Sequence, residues 1–402
     1  MFRITRREFL KISTVAGSGL IFSYKRLPQL NELGDFINDK MKTIPIPGLS
    51  ACMVKKNRLI WSKGYGWANI KKKIPMSPDS VMNIGSVSKT FTATAIMQLW
   101  EKGKFLLDDD INDYLNFTVK NPRYPNETIT FRQLLTHRSS IKDGSAYGES
   151  YACGDPTITL ETWLKEYFTP GGTFYNEEEN FHTWKPGERG SIPTKPRSYS
   201  NVGFGLLGFL VEVISGMAFN DYTKKNIFQP MDMKETSWFL ADLDISKHAV
   251  PYTYASEGKL RGELLQEEGL KEKTRIKEGF FPNCLYSFPN YPDGLVRTSV
   301  NQLARFLMAY INNGVYRDKW ILKSDTIRTM LSNDHFGRGL CWAKGELDDG
   351  EIVWGHGGGD PGINTIMLFR PSDGVGIIVF ANTAGARLSD ISKRLFQEAT
   401  DL

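Results

Sequence analysis

The sequence predicts an α+β fold: one antiparallel β-sheet formed from both chain termini and flanked by helices, with an inserted, mainly helical lobe. Three observations predict it. Near the N-terminus, "LSACMVKKNRLIWSKGYGWAN" (49–69) alternates apolar and polar residues on either side of the turn "KKN", which is the pattern of a hairpin. Near the C-terminus, "EIVWGHGG" and "NTIMLFRPSDGVGIIVFANT" repeat the strand pattern, with Pro371-Ser372-Asp373-Gly374 as the turn. Between the two, apolar residues recur at helical spacing.

Taken in chain order, residues 1–26 read "MFRITRREFLKISTVAGSGLIFSYKR". A basic start, the pair Arg6-Arg7 followed by Phe9, Leu10 and Lys11, and a roughly 12-residue apolar run resemble a twin-arginine export signal. The run is too short to span a bilayer, which takes about 20 apolar residues. Arg3, Arg6, Arg7, Lys11, Lys25 and Arg26 against Glu8 account for the whole net charge of +5. The remainder is neutral, so the basic balance gives no argument for a nucleic-acid partner.

Residues 27–402 are expected to form one unit, with a sheet lobe over about 27–82 and 294–402 and a helical lobe over about 83–293. "NELGDFINDKMK" (31–42) is an amphipathic helix ahead of the first hairpin. Helices follow over 86–102, "ITFRQLLTH", "GFGLLGFLVEVISG", "AFNDYTKKNIF" and "SVNQLARFLMAYINNG", and "LSDISKRLFQEATDL" closes the chain. The stretches 142–198 and 241–293, rich in Gly, Pro and aromatics, read as irregular. The charge runs at 176–180 and 269–279 read as solvated loop surface. Cys52, Cys153, Cys284 and Cys341 form no C-x-x-C pair, which argues against thiolate zinc; they are expected to be ordinary buried residues, although export would permit disulfides. His137, His182, His248 and His335 lack metal-ligand spacing and read as structural or surface residues, and Asp360-Pro361 reads as a turn. No metal or organic cofactor is implied.

The segment "NIGSVSKTFTATAIMQLWEKG" (83–103) raises the chemical question, because it places a lysine at the head of an otherwise apolar helix. Residues three apart share a helix face, so Ser86 and Lys89 bring hydroxyl and amine together. A serine needs a base to become a nucleophile, and burial would lower the pKa of Lys89 towards neutrality and let it act as one. By itself, S-x-x-K is equally an N-cap serine with a lysine whose stem reaches water.

Company adds weight. "MNIGSVSKTFTATAIMQLWEKGKFLLDDDI", "ITFRQLLTHRSSI", "YSNVGFGLLGFLVEVISG" and "WGHGGGDPG" resemble, in order, the motifs of the serine β-lactamase and penicillin-binding-protein superfamily. The likeness is to its branch of class C β-lactamases, D-alanyl-D-alanine carboxypeptidases and related esterases. It implies a β-lactamase/transpeptidase-like fold and an exported serine hydrolase, periplasmic or otherwise outside the cytoplasm, and membrane-tethered if its leader stays uncleaved. Esters, small amides or peptides, cell-wall peptide included, would be the substrates, and the twin-arginine machinery a partner during export. In that likeness Ser86 attacks a carbonyl, while Lys89 and Tyr199 share the proton transfers. Asn201 bonds Lys89 and the substrate amide, and the N–H groups of Ser86 and Gly359 form the oxyanion hole beside His356 and Gly358. Three departures stand out. His356 replaces a lysine, Gly357 replaces the hydroxyl residue that holds a substrate carboxylate, and Ser140 replaces a glycine. The first two imply weak recognition of β-lactams.

Overall fold

The computed structural model describes residues 30–188, 198–267, 269–271, 278–332, 338–347 and 350–402. Residues 1–26, His335 and most of the 269–279 charge run therefore lie outside the described residues. A seven-stranded antiparallel sheet organises the rest. Its strands are β1 (Gly48–Lys55), β2 (Arg58–Asn69), β3 (Ile74–Pro75), β4 (Ala343–Glu346), β5 (Ile352–Asp360), β6 (Ile363–Arg370) and β7 (Val375–Ala381), in the order β4-β5-β6-β7-β1-β2-β3.

The sheet draws its centre from opposite ends of the chain, with Met53 of β1 opposite Ile377 of β7. Both strands are buried on both faces, so the alternation expected from the sequence gives way in them to nearly continuous apolar runs, Ala51 to Val54 and Ile377 to Ala381. Alternation then sorts the side chains. Ala51, Met53, Ile377 and Val379 face α1 (30–43) and the final helix, through Leu33, Ile37, Ile391 and Leu395. Cys52, Val54, Ile378 and Phe380 face the larger core on the other side.

That larger core holds α2 (Lys89–Glu101), α3 (Asn201–Ser215) and α4 (Val300–Ile311), and α5 (Ser389–Asp401) is the final helix on the opposite face. Every residue of α2 from Lys89 to Leu99 is buried, as an all-round apolar helix must be. Its threonines meet their polar needs internally: Thr92 donates to Pro292 O at 2.5 Å, and Thr94 shares a 2.7 Å bond with the Tyr310 hydroxyl. Ser200 caps α3 by accepting the Gly203 N–H, and Gly216 ends it in the left-handed region.

Several expectations need correcting. Within 241–293, Tyr252–Ser256 pairs with Lys259–Arg261 and with Gly279–Pro282 in a small sheet, because Tyr, Thr and Phe favour a pleated surface and Glu257-Gly258 supplies a positive-φ turn. Within 142–198, Leu160–Phe168 is a helix capped by Thr159. The charge run at 176–180 is not all surface. Asn176 caps a short helix whose last residue, Asn180, is buried and donates to Tyr167 O and Phe174 O. Cys153 and Cys284 form a disulfide, while Cys52 and Cys341 are buried thiols. A cross-link between residues 131 apart removes unfolded-chain entropy worth roughly 4–5 kcal/mol in the chain-entropy picture.

Candidate active site

Ser86 lies in a 3₁₀ turn, Gly85–Ser88, that leads straight into α2. The turn is pinned from several sides. Gly85 N–H donates to Asn83 Oδ1 at 2.8 Å, Thr365 donates to Ile84 O at 2.7 Å, and Ser88 Oγ accepts the Val296 N–H at 2.9 Å. Two glycines let β5 approach it. A Cβ on Gly358 would fall 2.1 Å from Ile84 O, and one on Gly85 would stand 3.0 Å from Gly359 N. The strand's Gly359 thus lies against the nucleophile turn, where an oxyanion donor is needed.

Lys89 Nζ is fully buried. It donates to Asn201 Oδ1 at 2.6 Å, to Asp293 O at 2.8 Å and to Ser86 Oγ at 3.2 Å, with Asp293 Oδ1 at 3.5 Å. The ammonium lies 4.8 Å from the Tyr199 ring centroid. Tyr199 stacks against His137 at 4.3 Å and faces His356 at 6.4 Å. The structure therefore brings Ser86, Lys89, Tyr199 and Asn201 together, with His356, Gly358 and Gly359 on the adjoining strand.

The electrostatics overturn one expectation. Burial does push the Lys89 pKa down, but Tyr199, Asp293 and Asp143 together outweigh it, and the group ends above its ordinary value. Burial likewise raises the Tyr199 phenol, against the pull of Lys89.

Sequence reasoning missed the groups responsible. Asp143 accepts the N–H groups of Asn201 and Val202, at 2.8 and 3.0 Å, and Asn201 Nδ2 at 2.9 Å, so it fixes the amide that holds Lys89. Asp293 reaches the site because α3 is thinned by glycine: a Cβ on Gly205 would overlap Asn290 Oδ1 at 1.6 Å, and one on Gly208 would lie 2.4 Å from Pro292. The Asp293 carboxylate accepts from Asn290 Nδ2 at 2.6 Å and from the Tyr147 hydroxyl at 3.1 Å. Tyr151, 3.3 Å from Tyr147, donates to Asp360 Oδ1 at 3.0 Å, and Asn83 Nδ2 donates to its Oδ2 at 3.3 Å. Asp360 does end its strand at a turn, yet its side chain serves this network. Burial pushes Asp293 up to about 6 and Asp360 to about 7.

Of the histidines expected to be structural or surface residues, three are described. His137 is buried and accepts the Ser200 N–H; His182 stacks on Trp184 and bonds Ser198; His248 is half-buried, and desolvation of its ring pushes its pKa down to about 3. Ser140 sits at φ +60°, a backbone region that glycine adopts with less strain, and its hydroxyl accepts from Asn121 at 3.0 Å.

Fold and constellation together define a member of the serine β-lactamase and penicillin-binding-protein superfamily. Within it, the chain belongs to the beta-lactamase family, whose sequence model matches residues 33–400. Among named relatives, PbpX of Bacillus subtilis (strain 168), which carries a penicillin-binding-protein name, is 24% identical over 90% of this chain and 77% of its own. Protein flp of Staphylococcus aureus (strain MRSA252) is 25% identical over 84% of this chain, which spans only 60% of that longer protein. Among solved structures, the octameric penicillin-binding protein homologue from Pyrococcus abyssi superposes with a TM-score of 0.68 at 26% identity, covering 92% of this chain and 77% of its own. The D-amino acid amidase from Ochrobactrum anthropi SV3, complexed with L-phenylalanine amide, gives 0.69 at 19% identity over 93% and 99%.

Proposed function

We propose that this protein is an exported serine hydrolase that cleaves esters or small amides and peptides through an acyl-enzyme on Ser86. One observation carries the reading: a buried lysine amine 3.2 Å from the Ser86 hydroxyl, at a turn that lies against Gly359. The test of catalysis against mere binding is a fluorophosphonate probe followed by intact mass. One adduct on the wild-type protein and none on Ser86→Ala supports an active nucleophile; an unlabelled wild type would indicate a binding module.

Substrate choice follows from charge. A carbonyl can only accept, so the 2.7 Å contact to Gly357 O places a hydrogen on His356 Nδ1, and when the ring carries only that proton its Nε2 is an acceptor, where a lysine would keep a permanent charge. Gly357 offers no hydroxyl, and the carboxylates of Asp143 and Asp293 act on the Lys89 ammonium. Each of these disfavours a substrate carboxylate. Losing one charge-assisted bond of about 1.5–3 kcal/mol should slow β-lactam acylation roughly 10- to 150-fold relative to a neutral ester. A Cβ at 357 would meet only Thr365 O, at 3.8 Å, so Gly357→Thr with His356→Lys is expected to recover part of that loss. Kinetics on a short acyl ester, an amino-acid amide, a D-Ala-D-Ala peptide and a chromogenic cephalosporin check this. Cephalosporin turnover near the diffusional ceiling of about 10⁸ M⁻¹s⁻¹ in the wild type contradicts it. The amide belongs in the set because the same carboxylates suit an ammonium-bearing acyl group.

Export is part of this reading, supported by the twin-arginine pattern and by a disulfide suited to an oxidising compartment. Changing Arg6 and Arg7 to Lys is expected to retain the protein in the cytoplasm, because the pair is an address read by a receptor rather than a charge requirement. Unchanged fractionation of that variant argues for a general secretory route.

A further inference from the structure

The site holds more protons than the resting geometry can use. Lys89 above its ordinary pKa is an ammonium and Tyr199 is a neutral phenol, so neither, as it stands, can take the proton from Ser86 Oγ. What lies behind Lys89 is a buried carboxylate. Asp293 Oδ1 is 3.5 Å from Nζ and also accepts from Tyr147 at 3.1 Å, while Oδ2 accepts from Asn290 at 2.6 Å.

We propose that Asp293 is a positioning residue that stores the proton Lys89 must release before Lys89 can act as base. This rests on the acyl-enzyme reading of the site. Nζ–H⁺ passes one proton to Asp293 Oδ1, which leaves a neutral amine beside a neutral acid. Two amine hydrogens remain, and they match the two short contacts from Nζ, to Asn201 Oδ1 at 2.6 Å and Asp293 O at 2.8 Å. The third direction on Nζ, which now carries the lone pair, is shared between Asp293 Oδ1 and Ser86 Oγ, the latter 3.2 Å away. As Oγ bonds to the substrate carbonyl carbon, its proton moves to Nζ. When the bond from carbon to the leaving group breaks, the leaving atom takes a proton from the Tyr199 hydroxyl, and Lys89 replaces it. Acylation therefore ends with the amine and acid neutral again, and no proton is gained or lost. Forming the neutral pair removes two buried charges at once, which offsets part of the cost of moving a proton from a group above its ordinary pKa to one at about 6.

The titratable groups facing Asp293 are Lys89 on α2, Tyr199 just before α3, Asp143 and Tyr147 on the segment leading to Cys153, and Tyr151 and Asp360 further along the same hydrogen-bonded chain. Asp293 must be ionised to accept the proton, so protonating it from solvent blocks the step. The acid limb of the rate profile then belongs to the coupled Lys89–Asp293 pair, with Asp293 pushed up to about 6.

The experiment follows the rate of Ser86 labelling by a fluorophosphonate, together with kcat and KM on a short ester, across pH, with a melting curve for each protein. Asp293→Asn is expected to lower kcat and labelling roughly 100-fold or more with KM within about threefold, and to erase the acid limb. Tyr147→Phe, a variant less disruptive to the fold, is expected to keep the plateau rate within a few-fold and to move that limb to higher pH, because its hydrogen bond favours the charged carboxylate. Asp293→Asn that labels as fast as the wild type or faster overturns the proposal, since Lys89 would then be a better base without its neighbour. An unmoved limb in Tyr147→Phe overturns it too. A wild type that never labels removes Ser86 as nucleophile, and with it both this proposal and the hydrolase reading; labelling that is equal in wild type and Asp293→Asn removes this proposal alone.

Discussion

Ser86→Ala is expected to lower kcat by roughly 10⁴-fold or more while shifting Tm by only about 2–4 °C. The two effects have different physical causes. Catalysis loses the atom that would bond to the substrate, and no other hydroxyl can take its place on this turn, whose neighbouring Ser88 Oγ is buried and bonded to Val296 N. Stability loses the partly buried hydrogen bond from Lys89, worth about 1 kcal/mol, and the contact with Tyr199 beside it. Ester kinetics beside a thermal melt check both. Retention of more than about a tenth of the activity would make Ser86 a bystander.

Lys89→Met is expected to cost about as much in rate, roughly 10²- to 10⁴-fold, and far more in stability. Methionine fills the space, but Asp293 stays buried without its counter-charge, a change that typically costs about 3–5 kcal/mol. The pH dependence gives the cause away. The wild-type Asp293 carboxyl, at about 6, already lies above its ordinary 3.8, and loss of Lys89 removes the strongest influence holding it down. A carboxyl raised in the folded state binds protons that the unfolded chain has released. Its contribution is therefore fully present below about 3.8 and is lost as pH rises through the folded value. Lys89→Met should be close to wild type in Tm under mildly acidic conditions and fall behind it above neutrality. The double variant Lys89→Met/Asp293→Leu, which exchanges the pair for apolar side chains, should recover most of the lost stability and none of the activity. A single variant whose deficit does not grow with pH contradicts this account.

The strands at both termini, the helix carrying Lys89 and the group formed by Ser86, Tyr199 and His356 could be read from the chain, because each rests on local periodicity or on a short motif. The three carboxylates could not. Asp143 occurs in "KDG", Asp293 in "PDG" and Asp360 in "GDP", and an aspartate next to glycine or proline is the ordinary signature of a turn. Each does lie in or beside a loop. What the local pattern hides is that the loop is pressed against the core, so that the side chain meets Asn201, Lys89 or Tyr151 from a distant part of the chain. The raised pKa of Lys89 was misjudged for the same reason: the burial of the helix was legible, but its neighbours were not. Nor does spacing announce the Cys153–Cys284 bond, whose partners are brought together by the short pairing of Ala152–Cys153 with Tyr286–Ser287.

The central pairing of β1 with β7 also sets a timetable. β1 leaves the ribosome early, yet the strand that completes its ladder, together with the β5 glycines that face Ser86, is made far later. Contacts this distant in sequence form late and slowly, because the intervening loop must close before any of them can stabilise it. Until β5 to β7 have been made, a nascent chain carries the serine and the lysine on a helix with no sheet behind them and no strand opposite. The nucleophile turn can be assembled only once those strands are available, so a growing chain that lacks them has no competent site with which to acylate itself or its surroundings.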